Sequence, residues 1–112
     1  MSPRKWDLRV SDILTSIEDI ENFTHGMTLD SFRMDRKTVL AVIRCLEVIG
    51  EASHKIPVDI QVRNPEIPWR KIKDFRNLLI HEYFGVDLSI VWNTIHTDLL
   101  PLKPAFEKIA PK

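Results

Sequence analysis

Apolar residues at helical spacing, interrupted by prolines and glycines, most narrowly limit what this chain can fold into. From Leu8 to Phe23 and from Val39 to Ala52, apolar side chains recur about every third or fourth residue, which is the repeat of an amphipathic helix. We therefore predict a first helix from Ser2 and Pro3 to near Gly26 and a second from Asp35 to near Lys55, with a short helical turn at Thr28–Met34 between them.

The next stretch is punctuated by prolines at positions 57, 65 and 68. Residues 58–63 can form at most a short helical turn, because prolines disfavour helical continuation around them. Pro68 is well placed as the first residue of a third helix, and Gly85 as its C-terminal stop. The apolar face of this helix consists of Ile72, Phe75 and Leu79.

The sequence after Gly85 predicts a fourth helix that is interrupted by prolines. Asp87 can cap a fourth helix, whose apolar stripe is Ile90, Val91, Ile95 and Leu99. Pro101 and Pro104 should kink or split it. Nothing reads as a strand and the connections are short, so we expect an all-α fold in one domain, residues 1–112. This fold is an antiparallel bundle of four main helices with a short extra helix or a kinked C-terminal helix.

The composition excludes several functional classes. Lysine plus arginine number 16 and aspartate plus glutamate number 16, so no global field draws the protein onto nucleic acid or membrane, and any anion site must be local. Cys45 is the only cysteine, so the chain cannot form an internal disulfide, which suits a reducing cytoplasm. It lies within an apolar helical pattern, so we expect its side chain to be an unreactive part of the core. No apolar run approaches the ~18 residues of a membrane span. We therefore expect a cytoplasmic protein without membrane contact.

The segment from Arg76 to Tyr83 carries the candidate chemistry. It sets Arg76, Asn77, His81 and Tyr83 in the last two turns of the third predicted helix. Arginine offers a fixed fork of donors to phosphate oxygens, histidine moves protons near neutral pH, and a tyrosine hydroxyl can be modified. This combination favours phosphodiester chemistry over a purely structural role.

A local excess of positive charge precedes these residues. Arg70, Lys71, Lys73 and Arg76 outnumber Asp74 in one short stretch. A polyanion such as RNA could dock there, which makes Arg70, Lys71 and Lys73 candidate RNA-binding residues. The alternative is an ordinary cationic helix face.

Helical geometry separates the two catalytic candidates. At about 100° per residue, Arg76 and His81 lie roughly 140° apart, whereas Arg76 and Tyr83 lie within roughly 20°. Either the final turn distorts near Gly85, or the site forms where two copies of the chain meet and each supplies an arginine and a histidine. We favour the second explanation, which predicts a homodimer.

No metal or cofactor signature accompanies the segment. His25, His54 and His96 are widely separated, without a cysteine pair or H-x-x-x-H spacing. The three glycines are isolated, so the sequence has neither a phosphate-cradling loop nor a nucleophile elbow. We expect a site that uses neither metal nor cofactor.

With these residues in view, the chain resembles the HepT-like ribonuclease toxins of the HEPN superfamily, whose mark is R-x4-H-x-Y. Arg76, His81 and Tyr83 match that motif. The resemblance covers nearly the whole chain and includes, in the order of the family, Asp35-Arg36-Lys37, Ile49-Gly50-Glu51-Ala52, Pro65-Glu66-Ile67-Pro68-Trp69-Arg70 and Tyr83-Phe84-Gly85-Val86-Asp87.

The resemblance implies a HEPN-like fold and a homodimeric, metal-independent endoribonuclease, the toxin of a pair with a nucleotidyltransferase antitoxin. Arg76 and His81 would be the catalytic pair, Asn77 a polar helper, and Tyr83 the residue to which the antitoxin transfers AMP. The alternative is a non-catalytic HEPN module that helps a nucleotidyltransferase bind nucleotide or a partner. Intact Arg76 and His81 favour the enzyme.

Overall fold

Helices make up the regular structure of the described part of the chain. The computed structural model describes residues 5–81, with the backbone alone at residues 80 and 81, and residues 87–110. Within these ranges there is no strand. The helices are α1 (Trp6–Phe23), α2 (Leu29–Met34), α3 (Arg36–His54), α4 (Val58–Arg63), α5 (Trp69–His81), α6 (Leu88–Asn93) and α7 (Lys103–Ile109).

Helix α3 is the centre of the fold because it packs against both α1 and α5. Short α2 also contacts α3, and α7 closes the bundle against α1. The side chains in the core are almost entirely removed from water, and burial of this apolar surface is the main force that holds the helices together. They include Ile13, Ile17, Ile20, Phe32, Val42, Leu46, Ile49, Leu79, Val91, Ile95 and Phe106.

Short polar side chains fix where the helices begin. Asp35 accepts a hydrogen bond from the Thr38 N–H at 3.0 Å and so caps α3. Asp87 accepts from the Ser89 N–H at 2.9 Å and caps α6. These bonds satisfy backbone donors that have no partner within the first helical turn. Beyond the end of α1, Gly26 has φ of 75°, a conformation that glycine adopts without steric cost.

The C-terminal helix is interrupted more extensively than the sequence predicts. Helix α6 is only six residues long and is followed by a π-helical turn, Thr94–Leu99, and a 3₁₀ turn, Leu100–Leu102. The ring of Pro101 would clash with the Thr97 carbonyl in a continuous α-helix, and the wider turn before it avoids this clash. The assignment of Ile90 to the apolar stripe was wrong, because Ile90 is 49% exposed.

The predicted all-α fold is confirmed, and helix boundaries agree closely with the sequence signals. Helix α5 begins at Trp69, one residue after the predicted start, and the Pro68 carbonyl accepts the hydrogen bond from the Ile72 N–H. The proposed start at Ser2 and Pro3 and the stop at Gly85 lie outside the described residues. Cys45 is buried, as predicted, and burial raises the pKa of its thiol. Among the described helices, none has the length and apolar character that a membrane span requires.

The Asp35 cap predicts a specific pH dependence of stability. The Thr38 hydrogen bond lowers the pKa of Asp35, so this carboxylate stabilises the fold above its ordinary pKa. The contribution is lost as pH falls through the lower folded-state pKa. Asp35→Asn keeps an acceptor oxygen but cannot ionise, so it should be less stable than the wild type near about pH 7 and equally stable near about pH 2. Urea unfolding of both proteins at the two pH values measures this difference, and a gap that stays constant would contradict the role of the charge.

Candidate functional site

Arg76 lies in a cleft built from three helices. The cleft has a volume of about 360 Å³ and is lined by side chains of α1, α3 and α5. Its charged residues are three arginines, Arg9, Arg44 and Arg76, and three acids, Asp12, Glu47 and Glu51. We call this the arginine cleft. An arginine-lined concavity is chemically suited to phosphate and carboxylate groups, because guanidinium donors match two oxygens at once.

Two hydrogen bonds fix the Arg76 guanidinium. Its Nη2 donates to Glu51 Oε2 at 2.8 Å and its Nη1 donates to Asn77 Oδ1 at 3.4 Å. The Arg76 side chain is 25% exposed and that of Glu51 is 51% exposed. The Nε of Arg76 is buried and has no hydrogen-bond partner in the described structure. Arg76 is therefore oriented by a charge-assisted bond, and each of its terminal Nη atoms keeps an N–H donor that these two bonds do not use.

The close approach of α3 and α5 at Gly50 makes this arrangement possible. A Cβ added to Gly50 would overlap Arg76 Cβ and lie 2.5 Å from Arg76 Cγ. A larger residue at position 50 would therefore separate the two helices. The neighbouring Glu51 contacts the guanidinium on the same side, so one turn of α3 supplies both the space for Arg76 and its counter-ion.

The structure places the remaining predicted site residues as follows. Asn77 is partly buried and accepts a hydrogen bond from Arg76, and its supporting role stays a prediction. His81 is the last residue of α5, and its side chain lies outside the description. Tyr83 lies outside the described residues.

The three basic candidates on α5 do not join the arginine cleft. Arg70, Lys71 and Lys73 are all exposed, and none of them lines it. Arg70 instead lies 4.0 Å from Asp74, its neighbour one turn along α5. Their contact with RNA stays a prediction.

The path of α5 bears on the distance between the two catalytic candidates. Helix α5 remains α-helical from Trp69 through His81. Positions 76 and 81 therefore lie roughly 140° apart around the helix axis. The alternative explanation, a distorted final turn near Gly85, falls outside the described residues.

Several residues that line the cleft or position Arg76 in it were not predicted from the sequence. Gly50 and Glu51 belong to the segments that resemble the family, but the sequence assigns them no role, and Arg9 and Arg44 lie outside those segments. A glycine within the interior of a helical pattern is a signal of close packing, so Gly50 could have been found. Arg9 and Arg44 carry no local signal, because only the tertiary fold brings them to Arg76.

Among the described residues, no three histidine, cysteine, aspartate or glutamate side chains are grouped closely enough to hold a metal ion.

An all-helical fold with R-x4-H spacing at the end of α5 defines the class of HEPN-like proteins. The family model described as Ribonuclease HepT-like matches residues 13–109. The chain belongs to this family, which confirms the resemblance seen in the sequence.

Individual relatives agree with this family over most of their length. "Probable ribonuclease HepT" of Thermococcus cleftensis is 49% identical over 100 residues, covering 89% of this chain and 91% of the relative. "Putative RNase MJ0125" of Methanocaldococcus jannaschii is 48% identical over 98 residues, covering 88% of this chain and 84% of the relative. No solved structure matches the chain significantly.

Gly50→Ala tests the close approach of α3 and α5. Alanine gains about 1 kcal/mol of helix propensity over glycine. The overlap with Arg76 Cβ cannot be relieved by side-chain rotation, and overpacking of this kind costs about 1–3 kcal/mol. We therefore expect a net loss of stability in urea unfolding and a shifted NMR signal of the Arg76 Nε–H.

Gly26→Ala is the matched control for this substitution. It strains a positive-φ position in open space, so it should destabilise the protein while leaving the Arg76 signal unchanged. A gain in stability for Gly50→Ala would show that α3 and α5 have room for a methyl group there.

Proposed function

We propose that this protein is a cytoplasmic endoribonuclease toxin that cleaves RNA without a metal ion and is silenced by a nucleotidyltransferase antitoxin. The observation that supports the proposal is the fixed orientation of the Arg76 guanidinium. This residue of the R-x4-H spacing is oriented by Glu51 within a cleft of a chain from the ribonuclease HepT-like family. A preorganised guanidinium of this kind suits a reaction in which negative charge develops on phosphate oxygens.

RNA supplies its own nucleophile, so this chain must only move protons and stabilise charge. A base removes the proton of the 2′-hydroxyl, the 2′ oxygen bonds to phosphorus, and the bond to the 5′ oxygen breaks. An acid then protonates the leaving 5′ oxygen. Arg76 would bind the non-bridging oxygens and His81 would act as base or acid. The products are a 2′,3′-cyclic phosphate and a 5′-hydroxyl.

The proposed active site is composite and lies between two copies of the chain. Roughly 140° separates Arg76 and His81 on the helix, so one copy alone is poorly suited to present both groups to one phosphate. In a two-fold dimer the same surface of each copy meets its counterpart. One cleft would then contain two arginines and two histidines, and an arginine from one copy would act with a histidine from the other copy on the same phosphate.

Substitution of the catalytic pair tests the activity. Arg76→Ala and His81→Ala should each reduce RNA cleavage at least about 100-fold in buffer with EDTA, because each removes charge stabilisation or proton transfer from the reaction. Circular dichroism should show an intact helical fold. The matched controls are Arg63→Ala and His25→Ala, which alter exposed residues outside the arginine cleft and should cleave at the wild-type rate.

Two results would contradict the proposal. Activity that disappears with EDTA and returns with a divalent ion would replace the mechanism with a metal-dependent one. A wild type that binds RNA without cleaving it would favour the non-catalytic HEPN module.

Regulation by a nucleotidyltransferase is proposed from the family resemblance. The Tyr83 oxygen would attack the α-phosphorus of a nucleoside triphosphate, pyrophosphate would leave, and the phenol proton would pass to solvent. Tyr83 follows Arg76 by seven residues, which corresponds to roughly 20° on a helical wheel. Attached AMP would place a negative charge beside Arg76, the residue proposed to bind the substrate phosphate. The AMP phosphate would then repel the phosphates of RNA.

Tyr83→Phe separates modification from packing. Tyr83 is the only tyrosine of the chain, so the variant removes every phenol oxygen and retains the ring. After co-expression with the cognate nucleotidyltransferase, the wild type should gain the mass of one or more AMP units and lose RNase activity. Tyr83→Phe should gain no AMP and remain toxic. Full neutralisation of Tyr83→Phe would show that inhibition is non-covalent.

A further inference from the structure

Two further arginines share the cleft with Arg76. Arg9 enters from α1 and Arg44 from α3, so the three guanidinium groups come from three different helices. Arg44 has a 74% exposed side chain and lies 3.7 Å from Glu47 on its own helix. Exposed pairs of this kind contribute little to stability. The Arg44 guanidinium is therefore available to bind another anion at small cost to the fold.

Some N–H donors of the cleft arginines have no acceptor within the described structure. The Nε atoms of both Arg9 and Arg76 are buried, and neither has a hydrogen-bond partner within the described structure. Asp12, Glu47 and Glu51 balance the charge of the three arginines, but they do not pair with every N–H donor, since each arginine carries five. Phosphate oxygens are the acceptors that such arginine clusters bind in two-point geometry.

We propose that Arg9 and Arg44 bind the RNA phosphates that flank the phosphate held by Arg76. The inference rests on the proposed ribonuclease function and adds the route of the substrate, which crosses α1 and α3. The basic face of α5, with Arg70, Lys71 and Lys73, then lies off this route. Contacts to flanking phosphates are made equally before and during the reaction, so they affect substrate binding and leave the chemical step unchanged.

Arg44→Ala is the direct test, because its exposed side chain can be removed without disturbing the core. With a short single-stranded RNA substrate, KM should rise on the order of 10-fold, the loss expected for one charge-assisted contact, at unchanged kcat. The slope of log(kcat/KM) against log salt concentration should become shallower by about 0.7, the value for one phosphate contact on a single strand. Arg44→Lys should keep the wild-type slope and show an intermediate KM, since it retains the charge and loses the two-point donor.

Arg63→Ala is the matched control, because it also removes an exposed helical arginine, from outside the arginine cleft. It should match the wild type in KM, kcat and salt slope. Circular dichroism and sedimentation must show that all variants keep the wild-type fold and oligomeric state.

Three results would overturn the inference. The first is an Arg44→Ala variant with wild-type KM and salt slope. The second is a loss confined to Arg70→Ala, which would place RNA on the basic face of α5. The third is a changed oligomeric state in Arg44→Ala that accounts for its whole defect, which would assign the cleft to contact between copies.

Binding of a 2′-O-methyl RNA separates this inference from the proposed function, because that RNA cannot be cleaved. If the wild type cleaves no RNA but binds this oligonucleotide about 10-fold better than Arg44→Ala does, the ribonuclease function fails and the phosphate route stands. If the wild type does not bind the oligonucleotide, the phosphate route fails as well.

Discussion

The close contact between α3 and α5 at Gly50 is the constraint on which the site depends. Helix α3 packs on both sides, against α1 and against α5, so its position is set by the whole core. Because Gly50 has no side chain, the alkyl chain of Arg76 can lie directly on the α3 backbone. This contact places the guanidinium beside Glu51 and opens it toward α1. The geometry of the proposed catalytic arginine thus follows from the packing of three helices.

The electrostatics of the cleft are compatible with the proposed phosphate site in a protein that has no net charge. The cleft contains three arginines and three acids, so the free protein presents no large positive field there. The 2.8 Å bond from Arg76 to Glu51 limits the conformations of a long side chain before substrate arrives. Preorganisation of this kind lowers the entropy lost on binding, and a local arrangement of donors replaces the strong global charge of many nucleic-acid-binding proteins.

Local signals in the sequence predicted most of the fold and part of the site. Asp35, Asp87 and the prolines mark helix ends through interactions within a few residues, and these positions could be read directly. The π-helical turn could not, because Pro101 predicts a break without specifying its form. Arg76 was identified from its spacing to His81. Its partnership with Glu51, 25 residues away, and with Arg9 and Arg44 depends on how α1, α3 and α5 pack, which no local pattern records.

The central claim is that Arg76 and His81 act together only when two copies meet, and complementation tests it most directly. Arg76→Ala and His81→Ala are each expected to be inactive alone. When the two variants are unfolded together and refolded, mixed dimers contain one intact arginine and one intact histidine. A composite site predicts that RNA cleavage returns in the mixture and not in either variant treated alone. A mixture that forms mixed dimers, verified by mass spectrometry, and still fails to cleave RNA would contradict the account.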